Sequence, residues 1–177
     1  MGIYGGVMGI WDVRKDGDRA QWTCTPLVSV GPLRLGMSAG EVVVALDHAG
    51  PVSGIGYPDT PSVQWFQELG VTAYYEGAGR LAGVAVDALN GPQVMLDGTA
   101  LVGRVPSALE AWIHDYTQAY GLDLHYVHEG NPGSADVGLL VRAQRAGDVV
   151  LSRPLFLIRE WAMAEWDHVP ASEWKKF

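Results

Sequence analysis

The clearest periodicity in the chain lies between residues 107 and 120. Apolar side chains recur there at the spacing of a single helix face, namely Leu109, Trp112, Ile113, Tyr116, Ala119 and Tyr120. Ser107 and Glu110 have the spacing of a capping box, in which the serine oxygen accepts an early backbone N–H and the glutamate accepts the N–H of the serine. The pattern predicts a helix from Ser107 to about Tyr120 that ends at Gly121 and packs on a sheet.

The same helix-start signal occurs earlier in the chain, at Ser38 and Glu41. A weaker apolar stripe follows it, at Val42, Ala45, Leu46 and Ala49. The predicted helix runs to about Ala49, because Gly50 accepts a left-handed conformation and Pro51 cannot continue a helix. Each capping box therefore opens one of two main helices.

Strand-like sequence follows each predicted helix. After the first, Val71 to Glu76 and Arg80 to Asp87 flank a Gly-Ala-Gly turn and predict a hairpin. After the second come an alternating segment, a loop and a further hairpin, at Leu122–Glu129, Gly130–Ser134, Val137–Gln144 and Val149–Leu151. The sequence predicts one α+β domain spanning 1–177, with two main helices on one face of an antiparallel sheet. Because helix and hairpin occur in the same order twice, we also predict tandem half-repeats at 31–90 and 98–158.

Three other segments carry weaker signals. Ile10–Val13 and Gln21–Val30 are predicted to form an N-terminal hairpin, and the Gly- and Pro-rich stretch Pro51–Pro61 a loop. Near the C-terminus, Phe156–Trp166 places Ile158, Trp161, Ala162 and Glu165 along one side of a predicted helix. Pro170 is expected to end that element.

Composition limits the classes of function. Hydrophobic residues make up 48% of the 177 and charged residues 18%, which excludes a disordered chain. The lone Cys24 and the absence of basic residues before the first apolar stretch favour a reducing, cytoplasmic location. No apolar run reaches the ~20 residues of a membrane helix. The net charge of −8 argues against nucleic acid and anionic lipid as partners and permits a basic protein.

Candidate chemistry is sparse. His125 and His128 stand three apart on a predicted strand, so their side chains should face opposite ways and no metal site is predicted. His114 and Asp115 resemble part of a triad, but no serine lies in a G-x-S-x-G turn, and a solvated helix face is favoured. No glycine run has phosphate-loop spacing. We therefore predict no catalytic residue and no cofactor, although two distant carboxylates could still form a glycosidase-type pair.

The opening of the first half resembles a known module. Leu35, Gly36, Met37 and Ser38, then Val42 and the Gly50-Pro51 helix end, are similar to the G-M-T/S-x-x-x-V start of BamE-like helix–hairpin modules, which the β-lactamase inhibitor protein duplicates. The second half lacks the Gly-Met pair. The resemblance implies a protein-binding scaffold with two helices against one antiparallel sheet and no catalytic residues.

Two surfaces are candidates for partner binding. The first combines acids with large aromatics near the C-terminus, at Glu160, Trp161, Glu165, Trp166, Asp167 and Trp174. The second is the polar side of the second helix with its following turn, at Asp115, Gln118 and Asp123. For Trp161 and Trp166, a place in the core remains an open alternative.

The functional hypothesis is a non-enzymatic immunity or inhibitor protein that neutralises a basic toxin or enzyme by steric occlusion. Acidity, small size and missing catalytic motifs favour it. So does a composition with more Arg than Lys and abundant Ala, Gly and Val, which is typical of high-GC bacteria. The alternative is a small-ligand-binding protein or enzyme with a pocket between helices and sheet, lined by aromatics such as Tyr74, Tyr75 and Trp112.

Overall fold

A computed structural model describes residues 9–53 and 62–176. Its helices are α1 (Ala39–Ala45), α2 (Pro106–Tyr120), α3 (Arg159–Met163), α4 (Glu165–His168) and α5 (Ala171–Trp174). Its strands are β1 (Gln21–Thr25), β2 (Ser29–Val30), β3 (Leu33–Arg34), β4 (Val52–Ser53), β5 (Val63–Phe66), β6 (Val71–Tyr75), β7 (Leu81–Val86), β8 (Gln93–Leu96), β9 (Thr99–Ala100), β10 (His125–Val127), β11 (Asn131–Ser134), β12 (Leu139–Ala146) and β13 (Val149–Leu157). The glycine-rich N-terminus and most of the predicted loop Pro51–Pro61 lie outside the described residues.

Within the described residues, the main sheet has eight antiparallel strands in the order β10-β11-β12-β13-β7-β6-β5-β4. In each half of the chain a helix is followed by four of these strands, and the two sets of four meet where β13 pairs with β7, with Phe156 opposite Val84. A smaller sheet has the order β3-β2-β1-β8-β9. The predicted α+β class is confirmed, and the internal duplication stays a prediction.

Two apolar clusters lie on opposite faces of the main sheet, because neighbouring strand residues point to opposite sides. Ala73 and Phe156 face the first cluster, which also holds Val42 of α1 and Leu109 and Ile113 of α2. Both main helices therefore pack on one face, as predicted. The opposite face packs against the C-terminal helices through Tyr74, Leu140, Leu155, Trp161 and Ala162. That second face positions the candidate site.

Only one of the two predicted capping boxes forms. The Glu41 N–H donates to Ser38 Oγ at 3.3 Å, and the Ser38 N–H donates to Glu41 Oε2 at 2.7 Å, which confirms the first. The prediction at Ser107 is wrong, because α2 begins at Pro106 and Ser107 lies inside its first turn. Proline suits the first helical position, since its φ is fixed and its missing N–H needs no partner there. Gly121 ends α2 in the left-handed conformation, as predicted.

The two serines form a matched pair for a stability test. We expect Ser38→Ala to lower the free energy of unfolding by about 1 kcal/mol, because an early amide of α1 loses its acceptor. Ser107→Ala should change it by less than about 0.5 kcal/mol. Urea unfolding of both variants measures the difference, and equal losses would contradict the assignment of a cap to Ser38 alone.

Several strand boundaries differ from the sequence predictions. The hairpin of β6 and β7 is confirmed. The predicted loop Gly130–Ser134 is wrong over most of its length, because Asn131–Ser134 is a strand between β10 and β12. The predicted N-terminal hairpin is also wrong. Gln21–Thr25 pairs instead in parallel with Gln93–Leu96, a partner far away in sequence that no local pattern could reveal.

The continuous C-terminal helix predicted over Phe156–Trp166 does not form. Phe156 and Leu157 extend β13, because they pair with Val84 and Gly83 of β7 in the middle of the sheet. The chain then makes three short helices, α3, α4 and α5. We call residues 159–176 the C-terminal cap.

Candidate partner-binding surface

The C-terminal cap is fastened to the sheet by a buried carboxylate. Glu173 of α5 is 0% exposed and accepts four hydrogen bonds. Arg153 donates through Nε at 2.7 Å and through Nη2 at 3.0 Å, and Arg142 donates through Nη1 at 2.8 Å. The Tyr74 hydroxyl donates the fourth at 2.5 Å. The donors come from β12, β13 and β6, so one side chain joins the cap to both halves of the sheet.

Strand register brings the two arginines together. Arg142 and Arg153 lie directly opposite each other on β12 and β13 and point to the same face. Asp87 and Gln144 complete the cluster, with Gln144 Nε2 donating to Asp87 Oδ2 at 2.9 Å. Arg153 Nη1 stands 3.5 Å from the same carboxylate oxygen. Two guanidinium groups and two carboxylates therefore balance in charge beneath the cap.

Electrostatics keep Glu173 ionised. Burial alone would raise the pKa of Glu173. The charge and hydrogen bonds of Arg153, the hydrogen bond from Tyr74 and the charge of Arg142 all lower it. Together they outweigh burial, so the pKa of Glu173 lies below its usual value. Burial also acts to lower the pKa of Arg153, and the Glu173 carboxylate reverses this effect. Glu173 is therefore a charged structural anchor.

A second contact fastens α4. His125 of β10 stands between two carboxylates, with Nδ1 3.2 Å from Asp123 Oδ2 and Nε2 2.5 Å from Glu165 Oε1. Glu165 is buried. Asp123 is itself held in place, because it accepts the N–H groups of Ala135 and Asp136 and the Ser134 hydroxyl. The cap is thus fixed from beneath at α4 and at α5.

The outer side of the cap exposes apolar and acidic side chains. Trp166 is 55% exposed and Met163 is 67% exposed. The Trp166 ring lies against that of Trp174, with 5.0 Å between centroids, and Arg142 lies behind the Trp174 ring. Glu160 and Asp167 are exposed as well. We call Glu160, Met163, Trp166 and Asp167 the cap surface.

An open hollow adjoins the cap surface. It has a volume of about 450 Å³ and lies between the β6–β7 turn and α3 and α4. Its lining includes Trp161 and the acidic residues Glu76, Glu160 and Asp167. The acidic side chains of the cap therefore face a recess that a protruding basic side chain could enter.

The nine residues predicted to bind a partner divide between surface and interior. Five of them are exposed, namely Asp115, Gln118, Glu160, Trp166 and Asp167. Trp161 and Glu165 are buried, so the open alternative of a core residue holds for Trp161 and not for Trp166. Asp123 and Trp174 are partly buried, and both contact other parts of the protein. Partner binding by any of the nine stays a prediction.

The second predicted surface is less organised. Asp115 and Gln118 lie on the solvent side of α2, and Asp115 is 3.5 Å from the exposed His114 imidazole. Asp123, predicted to belong with them, is turned towards β11 and His125. These three residues therefore do not form a common patch.

The sheet separates Tyr74 from the other two aromatics proposed to line a ligand pocket. Tyr74 belongs to the second cluster and donates its hydroxyl to Glu173, while Tyr75 belongs to the first and donates to Gln64. Trp112 packs against the first cluster with α2. Tyr74 and Tyr75 are buried, and Trp112 is partly buried. Cys24 is likewise buried, and burial raises the pKa of its thiol to about 12.

Sequence reasoning missed the residues that hold the cap. Arg142, Gln144 and Leu140 alternate along one face of β12, which places two polar side chains on a face that also carries core residues. Polar residues that share a strand face with core residues were the one sign in the sequence that these residues have buried partners. The partner of Arg142, Glu173, lies 31 residues further along the sequence and carried no signal of its own.

Comparison with known proteins finds no matching family model, no matching curated protein and no matching solved structure. The BamE-like resemblance therefore stays an expectation from the residues alone. Among residues 9–53 and 62–176, no group of three or more His, Cys, Asp or Glu side chains is arranged to hold a metal ion. In the same part of the chain, no helix has the length and apolarity needed to cross a membrane.

Proposed function

We propose that this protein is a non-enzymatic binding protein that uses the cap surface to cover a basic protein partner, as an immunity or inhibitor protein does. One observation carries the proposal. Trp166 is 55% exposed on a short helix whose neighbouring residue, Glu165, is buried. An exposed tryptophan on a segment fixed from beneath is a preorganised contact, because little side-chain or backbone freedom remains to be lost on binding.

The cap surface has the composition of an interface centre with a charged rim. Tryptophan contributes large binding energies when a partner covers it, and methionine adapts to irregular surfaces. Glu160 and Asp167 are exposed on the same short helices, and the whole chain carries a net charge of −8. Such a field accelerates encounter with a cationic partner and resists an acidic one.

Inhibition would follow from coverage and needs no chemistry from this chain. A partner seated on Trp166 and Met163 would place its own basic side chains over the acidic hollow beside Trp161. If those side chains belong to the functional site of a toxin or enzyme, the cap blocks access to it. The residues beneath the cap then serve to hold its outer face in one conformation.

The proposal is tested with two tryptophan variants. Immobilised wild-type protein, Trp166→Ser and Trp11→Ser are used to capture proteins from a lysate of the source organism. Trp11 is a matched control, because it is 45% exposed and its ring packs against Arg145 of β12 rather than against the cap tryptophan Trp174. We expect Trp166→Ser to weaken capture of a basic protein by more than about 2 kcal/mol, which is roughly 30-fold. Trp11→Ser should capture it as the wild type does.

Salt and charge variants separate specific capture from adhesion. Asp167→Asn should slow association and reduce its dependence on ionic strength. If no basic protein depends on Trp166 for capture, or if Trp11→Ser removes it equally, the proposal fails. Urea unfolding of Trp166→Ser is the control that checks whether the variant keeps the wild-type fold.

A further inference from the structure

Between two ionised carboxylates, the His125 imidazole is held in a geometry that only its protonated form satisfies. Each ring nitrogen faces a carboxylate oxygen, at 3.2 Å on Asp123 and 2.5 Å on Glu165. A neutral imidazole has one N–H and one lone pair, so it can donate to only one of the two. The other nitrogen would then direct its lone pair at a carboxylate oxygen. An imidazolium donates to both.

Neither carboxylate can readily turn away. Asp123 accepts the N–H groups of Ala135 and Asp136 and the Ser134 hydroxyl. These bonds outweigh the effect of burial and hold the pKa of Asp123 well below its usual value, so it stays ionised. Glu165 is buried against the sheet. When His125 is neutral, Glu165 is left as a buried carboxylate without a cation.

The other charged groups near this contact are engaged elsewhere. Arg159 of α3 and Asp136, which border the same cavity of about 310 Å³ as Asp123 and His125, pair with each other at 2.5 Å. The Glu110 carboxylate of α2 lies near Tyr126, the neighbour of His125 on β10. His125 is therefore the cation that faces Glu165 among the described contacts.

We propose that protonated His125 is a latch that holds α4 of the C-terminal cap on the sheet, and that loss of its proton loosens α3 and α4 while α5 stays fastened by Glu173. Trp166 and Asp167 follow Glu165 directly, so the latch sets how firmly the cap surface is presented. That consequence for binding rests on the proposed function. The latch itself is a property of the fold.

The direction of the pH dependence follows from the contacts. Burial alone would lower the pKa of His125. The hydrogen bonds to Glu165 and Asp123 and the negative charges of both carboxylates outweigh burial and raise the pKa of His125 above 6.5. A group with a raised pKa in the folded protein contributes stability that is complete below its unfolded pKa and is lost as pH rises through the folded one. The contact between protonated His125 and Glu165 is therefore formed in mild acid and is lost towards alkaline pH.

Hydrogen exchange resolved by peptide tests the latch. Exchange is measured at about pH 6 and about pH 8.5 and corrected for the intrinsic pH dependence of amide exchange. For the wild type we expect peptides from 159–168 to lose protection severalfold at the higher pH. Peptides from 171–176 should remain protected, because Glu173 is held by Arg142 and Arg153 at both pH values.

Three variants decide the cause. His125→Asn should leave 159–168 weakly protected at both pH values, and Glu165→Gln should leave it protected at both, because no buried charge then needs a cation. His114→Asn is the matched control, since His114 also lies beside an aspartate but is exposed, and it should behave as the wild type. The latch would be refuted if the protection of 159–168 in the wild type did not fall at the higher pH. It would also be refuted if the protection fell to the same extent in His125→Asn. Neither result depends on whether Trp166 binds a partner.

Discussion

Glu173→Gln is expected to lower the free energy of unfolding by about 3–5 kcal/mol, the usual cost of removing one partner of a buried ion pair. The substitution preserves volume and leaves Arg142 and Arg153, both almost fully buried, without their shared carboxylate. Its new amide N–H group would also face donors, since Arg142, Arg153 and Tyr74 all donate to the Glu173 oxygens. Urea unfolding monitored by circular dichroism measures the loss.

Glu160→Gln is the matched control for this substitution. Glu160 is a cap glutamate exposed to solvent, and its replacement should change stability by less than about 0.5 kcal/mol. A loss below about 1 kcal/mol for Glu173→Gln would contradict the role of the buried cluster.

Acid should reproduce part of the effect of Glu173→Gln in the wild type. Because the pKa of Glu173 is lowered on folding, its contribution is present above the ordinary glutamate value of 4.5 and is lost as pH falls below it. The variant should therefore lose less stability than the wild type over that range.

Trp161→Ala is expected to cost about 3–5 kcal/mol, as for other buried tryptophans cut back to alanine. Trp161 is 6% exposed, lies in the second apolar cluster and stacks on His168 with 5.9 Å between ring centroids. The substitution leaves a cavity between α3 and the sheet. Trp166→Ala, five residues further along, should cost only about 0.5–1.5 kcal/mol, because its half-exposed ring packs against that of Trp174.

The two alanine variants distinguish a core tryptophan from a surface one. Thermal or urea unfolding of both, measured side by side, gives the comparison. Similar losses for Trp161→Ala and Trp166→Ala would mean that Trp166 also serves the core, and the cap surface would lose its proposed anchor.

Local sequence signals predicted elements whose bonds are local. The Ser38 capping box closes over three residues, and β6 and β7 are joined by a short Gly-rich turn, so both were visible in the sequence. The start of α2 was misplaced because the Ser107 box competed with Pro106, whose fixed φ suits the first position better. The parallel pairing of β1 with β8 joins segments about 70 residues apart and has no local signature.

The candidate site was predictable as a segment and not residue by residue. Glu160, Glu165 and Glu173 look alike in the sequence, yet Glu160 is exposed while the other two are buried. What separates them is the position of distant cations, with His125 facing Glu165 and Arg142 and Arg153 facing Glu173. A buried carboxylate needs such partners, and sequence order does not reveal which strand brings them.

The most direct test of the cap surface as a binding site is hydroxyl-radical footprinting of the captured complex. Methionine and tryptophan oxidise readily when exposed, so Met163 and Trp166 report on the cap, and Trp11, at 45% exposure, reports on the surface beside Arg145. We predict that the partner protects Met163 and Trp166 from oxidation and leaves Trp11 unchanged. Protection of Trp11 with continued oxidation of Met163 and Trp166 would contradict the proposal.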